Sequence, residues 1–468
     1  MLNAELITRQ LREACGIFGI FEHQAAGELV YYGLHSLQHR GQESAGIVAV
    51  NQGKFVQHRG LGLVTEVFAN KDMLRTLSGT AIGHVRYALA GAGEINEAQP
   101  LLFRYRQGTI ALAHNGLLTN AIQLRNQLER QGSIFQTNSD IEVIAHLIAR
   151  SSANSVEEAL LDALQMVDGA YALVLLTEDK IIACLDPHGL RPLSIGKIDE
   201  SFCVASETCA FDLIQAEFIR HVQPGEMVII DRKGLRSVQI SPPKQALCAF
   251  EYIYFARPDS YLGQRSVHQV RKQLGRQLAL EQPAAADLVL GVPDSSLPAA
   301  MGYAEGAKIP FEFGLIKNRY VGRTFIGPKQ ELRNQGVRMK LSVVEEIVAG
   351  KSVVIVDDSL VRGTTSSRIV RLLRDAGVRE VHVRISAPPV IYPCFYGIDI
   401  RTQKELIMTQ KTIEQIREYI NADSLKFISV PGMISCISGN VEQHGLCLAC
   451  FTGEYPTKTN SDVHEVIS

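Results

Sequence analysis

The 468-residue chain has no run approaching the roughly 18 consecutive apolar residues that a membrane span requires. Its first fourteen residues, MLNAELITRQLREA, lack the apolar stretch of a secretory leader, and Glu5 and Glu13 argue against an organelle transit peptide. A cytoplasmic protein is therefore expected. Neither sign of charge dominates: 47 Lys+Arg stand against 49 Asp+Glu, for a formal net charge of -2. Bulk attraction to nucleic acid or to a membrane surface is thereby excluded, and any anion must be held by a local cluster. Nine cysteines are too sparse for a disulfide scaffold, so thiol chemistry or metal binding is the more probable use of them. There is no fixed-period repeat and no low-complexity tract.

What remains is ordinary globular material, 46% hydrophobic and 21% charged, long enough for two or three cores. Short apolar runs at 15–21, 45–50, 109–114, 171–177 and 226–231 predict strands in the first half. IEVIAHLIAR (141–150) places Ile141, Val143, Ile144, Leu147 and Ile148 on one helical face. SPPKQ (241–245) is the best linker, because paired prolines end both strand and helix. Beyond it, helices at 268–281, 298–307 and 366–377 alternate with strands at 287–292, 351–358 and 380–387. That order predicts a parallel sheet with ligands beyond the strand ends.

One such end is Val353 to Thr365, VVIVDDSLVRGTT. Asp357 and Asp358 follow a buried strand, where they can accept from ribose hydroxyls or hold Mg²⁺. Ser359 follows them, and Arg362-Gly363-Thr364-Thr365 opens a helix whose free N–H groups suit a phosphate. A Walker motif is excluded, because Gly350-Lys351-Ser352 precedes the strand and Glu345 stands where its first glycine is needed. An acid-rich loop without a ligand would explain Asp357-Asp358 but not Arg-Gly-Thr-Thr. The string resembles the signature of type I phosphoribosyltransferases. That resemblance implies 5-phosphoribosyl 1-pyrophosphate with Mg²⁺, the acids on the ribose and the following loop on the 5-phosphate. A second loop, Gly291 to Ser296, also joins strand to helix and is a candidate for the pyrophosphate or metal side. Residues 317–340 hold seven bases, Lys317 and Arg338 among them, against the single acid Glu331; this predicts a mobile lid for a multiply charged ligand.

The first half carries a second constellation. Cys15 begins an apolar strand, and taken alone it would be a core thiol. Arg40 lies in the polar loop His39 to Ser44, and Arg86 stands at a strand end. His114-Asn115-Gly116 taken alone reads as a hairpin turn, and Thr137 to Asp140 as a helix cap. Those readings do not explain why all of them occur together. Jointly the strings resemble the class II glutamine amidotransferases, N-terminal nucleophile hydrolases of four-layer αββα fold. The resemblance implies that Cys15 becomes residue one after loss of Met1 to Ala14 as a propeptide. Its own α-amino group, with a pKa of roughly 7.7–8.0, then acts as the base. It also implies Arg86 and Asp140 on the carboxylate and amino groups of glutamine, and Asn115 with Gly116 as the oxyanion hole. Arg40 receives no defined role.

Cys447-Leu448-Ala449-Cys450 is a CxxC with Cys248 and Cys394 as distant partners and Cys436 as a competitor. Zinc and an iron–sulfur cluster both suit such thiolates. A class II glutaminase half joined to a type I phosphoribosyltransferase half resembles the amidophosphoribosyltransferase family, from Cys15 to about Thr457. The resemblance implies glutamine hydrolysis, ammonia transfer to phosphoribosyl pyrophosphate and entry into purine synthesis. It includes the subgroup with a propeptide and a [4Fe-4S] cluster, whose ligands match Cys248, Cys394, Cys447 and Cys450; its Mg²⁺ positions match Ser295, Asp357 and Asp358. One Mg²⁺ and one cluster per subunit are implied, with purine nucleotides as feedback inhibitors and a homotetramer. The implied units are 1–14, 15–245, 246–457 and a polar tail at 458–468.

Overall fold

The computed structural model describes residues 15–87, 94–318, 341–400, 402–439, 442 and 445–457. In the first half, thirteen strands form two antiparallel sheets. They are β1 (Gly16–His23), β2 (Ser44–Asn51), β3 (Lys54–Leu61), β4 (Gly79–Arg86), β5 (Leu101–Tyr105), β6 (Gly108–Leu118) and β7 (Gly169–Leu176). β8 (Lys180–Leu185), β9 (Ser194–Ile198), β10 (Ser201–Ala205), β11 (Glu217–His221), β12 (Glu226–Asp231) and β13 (Gly234–Gln239) complete the set. One sheet runs β11-β9-β10-β1-β4-β2-β3, the other β13-β12-β8-β7-β6-β5.

Alternation along the strands divides their side chains between two cores. Ile17, Val48, Ile82, Ala113, Val174 and Val228 meet between the sheets. Phe18, Ile47 and Val85 turn outward onto the helix Ala26–Ser36. Leu112 and Leu173 turn outward onto the helices Ile141–Arg150 and Val156–Leu164. The result is the four-layer αββα sandwich expected from the resemblance, with helix Ile141–Arg150 spanning the residues predicted for it.

Past Gln239 the architecture changes. Strands Leu288–Gly291, Ser352–Asp357, Glu380–Ile385 and Ser424–Phe427 form a parallel sheet in that order. Helix Val267–Glu281 precedes them in the chain, Leu297–Ala307 lies between the first and second strands, and Thr364–Asp375 between the second and third. The two strands that carry the site, Leu288–Gly291 and Ser352–Asp357, are buried throughout because both faces are covered, whereas EVHVRI and SLKF alternate polar and apolar residues. The helix after Asp358 starts at Thr364, two residues earlier than predicted, because Gly363 at φ +72° turns the chain into it. Among the described residues no helix is long and apolar enough to cross a membrane.

Candidate active sites

Cys15 lies where β1 begins, beside the end of β4, because Gly16 pairs with Val85. Tyr87 donates its backbone N–H to the sulfur. Burial nevertheless pushes the thiol up, with Arg86 drawing it down and Asp140 raising it further. The loop carrying Arg40 passes under Arg86 so closely that a Cβ at Gly41 would stand 2.5 Å from the Arg86 carbonyl carbon. Glycine is therefore required in His-Arg-Gly-Gln. Arg40, fully buried, donates from Nε to the Cys15 carbonyl at 3.2 Å, giving this residue the contact that its sequence context left undefined.

Asn115 and Gly116 do not form a hairpin turn. Both lie inside β6, opposite Ala172 and Tyr171. Gly116 has φ +144°, and a Cβ there would come within 2.1 Å of the Ala170 carbonyl, so the glycine answers a close strand approach. The Asn115 side chain is completely buried, and among the described residues neither its oxygen nor its nitrogen has a hydrogen-bond partner. Arg86 pairs through one terminal nitrogen with Glu97, while the other is buried with no partner among the described residues. Asp140 precedes the helix Ile141–Arg150 but does not cap it. Its carboxylate accepts from the Leu118 N–H at 2.9 Å and faces His114 Nδ1 at 3.6 Å. His84, beneath this site, has its pKa pushed down to about 3 by burial.

The second site lies at the carboxyl ends of Leu288–Gly291 and Ser352–Asp357. A cavity of about 340 Å³ is lined by Asp294, Ser295, Lys317, Asp357, Asp358, Ser359 and the turn Arg362 to Ser366. Asp357 and Asp358 are both buried. Burial raises the pKa of each carboxyl, and the neighbouring Asp358 raises Asp357 further. Hydroxyls offset part of this: Ser295 and Ser359 donate to Asp358, the latter at 2.7 Å, and Ser296 to Asp357 at 3.1 Å. Arg271 draws Asp358 down. Lys317 pairs with Asp294 at 2.7 Å and Arg362 with Glu405. Arg338 and the rest of the predicted lid, 319–340, lie outside the described residues.

Four cysteines meet where the second half returns to the first. Cys248 and Cys447 face each other in a short parallel pair, Leu247–Cys248 with Leu446–Cys447. The Cys450 carbonyl accepts N–H bonds from Ile391 and Tyr392, at 3.0 and 3.1 Å, three residues from Cys394. Burial pushes the Cys450 thiol well up, and Cys248, Cys394 and Cys447 each raise it further. Cys436 is surrounded instead by Ser435, Glu281 and Arg265. Among the described residues, no three His, Cys, Asp or Glu converge on one point as a single metal ion needs.

Residues 84–212 match the glutamine amidotransferase domain, and residues 263–387 the phosphoribosyl transferase domain. The chain is 56% identical over 456 residues to the amidophosphoribosyltransferase of Bacillus subtilis (strain 168), covering 97% of this chain and 96% of that one. The chain belongs to the amidophosphoribosyltransferase family. The Staphylococcus aureus (strain Mu50 / ATCC 700699) amidophosphoribosyltransferase is 51% identical over 452 residues, covering 95% of this chain and 91% of that one. A solved glutamine phosphoribosylpyrophosphate amidotransferase from B. subtilis, complexed with ADP and GMP, superposes with a TM-score of 0.92 at 55% identity. It covers 97% of this chain and 100% of that one. A structure described as the allosteric regulatory enzyme of purine biosynthesis gives 0.93 at 56% identity, covering 96% and 98%. As an amidophosphoribosyltransferase, the enzyme takes ammonia from glutamine and transfers it to phosphoribosyl pyrophosphate, the first step of purine biosynthesis.

This amidophosphoribosyltransferase also contains a charged network that sequence reading missed. Arg40 bonds Glu207 and, at 2.7 Å, Glu251; Arg191 bonds the same Glu251 at 3.1 Å and the Tyr396 carbonyl at 2.9 Å. All four side chains are fully buried. A buried pair survives the loss of water only when its remaining bonding positions are filled, as they largely are here. No local motif announces it, since Arg40 and Glu251 are 211 positions apart.

Proposed function

We propose that Cys15 is the nucleophile of glutamine hydrolysis and that the cavity at Asp357-Asp358 receives the ammonia on phosphoribosyl pyrophosphate. The observation that carries the first assignment is the Asn115 side chain. A buried amide with both atoms unpaired costs roughly 1–3 kcal/mol per orphaned group, which is tolerable where a substrate supplies the partner. Asn115 and the Gly116 N–H would then meet the oxyanion, while Arg86 and Asp140 hold the carboxylate and amino groups of glutamine. The Cys15 thiol is pushed up by burial and needs a nearby base. Loss of residues 1–14 would free an α-amino group on Cys15 itself. Its sulfur would attack the amide carbon and release ammonia, leaving a thioester that water hydrolyses to glutamate. Ammonia would then displace pyrophosphate from ribose C1.

In the acceptor cavity, Thr364, Thr365 and the N–H groups after Gly363 would hold the 5-phosphate, and the acids the ribose hydroxyls. Arg362 and Lys317 would turn from Glu405 and Asp294 to the ligand, with Arg338 joining them. Two buried carboxyls that repel one another, ringed by serine oxygens, fit a hard divalent cation. Ser295, Asp357 and Asp358 would hold one Mg²⁺ per subunit, which when bound offsets pyrophosphate charge. The grouped thiols of Cys248, Cys394, Cys447 and Cys450 fit a [4Fe-4S] cluster, in which each sulfur binds its own iron. Such a cluster would tie the C-terminal segment to the start of the second half. Units at 15–245 and 246–457, a tail at 458–468, a homotetramer and a cytoplasmic location rest on the family resemblance. So does feedback by purine nucleotides, to which the B. subtilis relative bound to ADP and GMP adds support. Cys15→Ala tests the division of labour. Glutamine-dependent synthesis should fall at least about 1,000-fold while ammonium-dependent synthesis persists. Loss of both, in folded protein, would overturn it.

A further inference from the structure

His39 belongs to the glutaminase half, yet it lines the phosphoribosyl cavity beside Arg257 and Pro258. Both of its ring nitrogens face acceptors, Nδ1 the Ser36 carbonyl at 3.2 Å and Nε2 the Glu207 carboxylate at 2.7 Å. These two contacts hold the ring between the end of the helix Ala26–Ser36 and Glu207, in the wall of the cavity.

Glu207 sits between β10 and the short helix Cys209–Ile214, fully buried. One of its oxygens is shared by His39 Nε2 and Arg40 Nη1. The other accepts the Arg257 backbone N–H at 2.9 Å and the Ser260 hydroxyl at 2.7 Å, both from the phosphoribosyl half. Burial alone would raise this carboxyl, but His39 and Arg40 hold it well below the usual carboxylate range. The same Arg40 donates to the Cys15 carbonyl. One ionised carboxylate thus bonds two groups that line the acceptor cavity and the arginine that holds the backbone of the nucleophile. A shift of His39 changes what is left for Arg40 on the shared oxygen, and a shift of the 257–260 segment, held by the other oxygen, turns the same carboxylate.

We propose that Glu207 is a positioning residue that couples occupancy of the phosphoribosyl cavity to the placement of Cys15. Resting on the assignments above, the proposal adds a physical route between the two sites. Coupling between the two sites is measured by comparing single and double variants.

The experiment uses full-length, processed enzyme and compares wild type with Glu207→Gln, Glu207→Asp, His39→Gln and the Glu207→Gln/His39→Gln pair. Three quantities are read: phosphoribosyl pyrophosphate binding by calorimetry, glutamine hydrolysis with and without that ligand, and synthesis from ammonium. Wild type should hydrolyse glutamine several-fold faster with the ligand present. In Glu207→Gln this ratio should approach one, and glutamine-dependent synthesis should fall at least ten-fold further than ammonium-dependent synthesis. Glu207→Asp, which keeps the charge, should retain more of the ratio. His39→Gln lies at the partly exposed end and is the variant least prone to misfold. It should lower the ratio without adding to Glu207→Gln in the double variant. An undiminished ratio in His39→Gln, a wild-type ratio of one, or equal loss of both syntheses in Glu207→Gln would overturn the coupling. If wild type fails to bind phosphoribosyl pyrophosphate, or Asp358→Asn binds it normally, the cavity assignment fails instead.

Discussion

In the glutaminase half two polar groups near Cys15 stand without partners among the described residues, whereas in the phosphoribosyl half the acids are already bonded to hydroxyls. Asn115 and one nitrogen of Arg86 are buried and unpaired. Asp357 and Asp358 are equally buried, but Ser295, Ser296 and Ser359 donate to them. On the proposed reading, the first site would keep the Asn115 amide free for a neutral substrate amide. The second crowds two carboxyls whose burial resists their ionisation, so a bound cation would change it. The same burial that costs the first site hydrogen bonds costs the second site ionisation.

The largest effect that would test this contrast is at Asp358. Asp358→Asn should reduce synthesis from glutamine and from ammonium alike, by at least about 100-fold, because the proposed role of this acid at the acceptor cavity serves both routes. Ammonium-dependent synthesis within three-fold of wild type would contradict the assignment. Asn115→Ala should divide the two activities: kcat with glutamine drops roughly 100- to 1,000-fold, with ammonium-dependent synthesis unchanged. Asn115→Leu, similar in size and without an orphaned amide, should lose the same activity yet unfold at higher temperature. A gain of about 1–3 kcal/mol is expected, and a loss would mean that the amide is partnered in solution.

The two halves should also titrate in opposite directions. An acid whose pKa is raised by folding binds its proton more tightly in the folded state. Asp357 and Asp358 therefore favour the fold at low pH, and that contribution is lost as pH rises above roughly 4. Mg²⁺ should restore it, so the rise in melting temperature on adding Mg²⁺ should grow from pH 5 to pH 8. A rise independent of pH would argue against binding at the acid pair. His84 works the other way. Its folded pKa of about 3 lies below the unfolded value of roughly 6.5, so its contribution is lost as pH falls through that window. Relative to wild type, His84→Phe should gain stability as pH drops from 6.5 towards 3, by at most about 1.4 kcal/mol per pH unit. Parallel pH curves for the two proteins would rule this out.

How much of this was legible in the sequence depended on whether a feature is local. VVIVDDSLVRGTT carries its own strand, acids, glycine and helix start, and these lie where the pattern puts them apart from a helix that begins two residues early, at Thr364. The apolar runs gave strands with helices between them, IEVIAHLIAR included, whereas the four-layer arrangement of those strands came from the family resemblance. Asn115-Gly116 was ambiguous because the dipeptide that favours a tight turn also serves where strands crowd together. Only the Ala170 carbonyl, 54 residues downstream of Gly116, distinguishes the cases. Arg40, Glu207, Glu251 and Arg191 were invisible as a group, since each is an unremarkable charge until the fold buries it. CxxC was visible, while the proximity of Cys248 and Cys394 to it depends on the whole second half.

The short pairing of Leu247–Cys248 with Leu446–Cys447 makes that second half a closed ring of about 200 residues. The entropy of closing a ring grows only with the logarithm of its length, so a clasp here constrains the unfolded chain hardly more than one closing half as many residues. What length does change is how much of the protein the clasp governs. Both ends of the phosphoribosyl unit enter and leave at one point, against Ala170 and Leu190 of the glutaminase half. A cross-link through the thiols at that point would act as a topological restraint on both halves, while touching few of the side chains in either core.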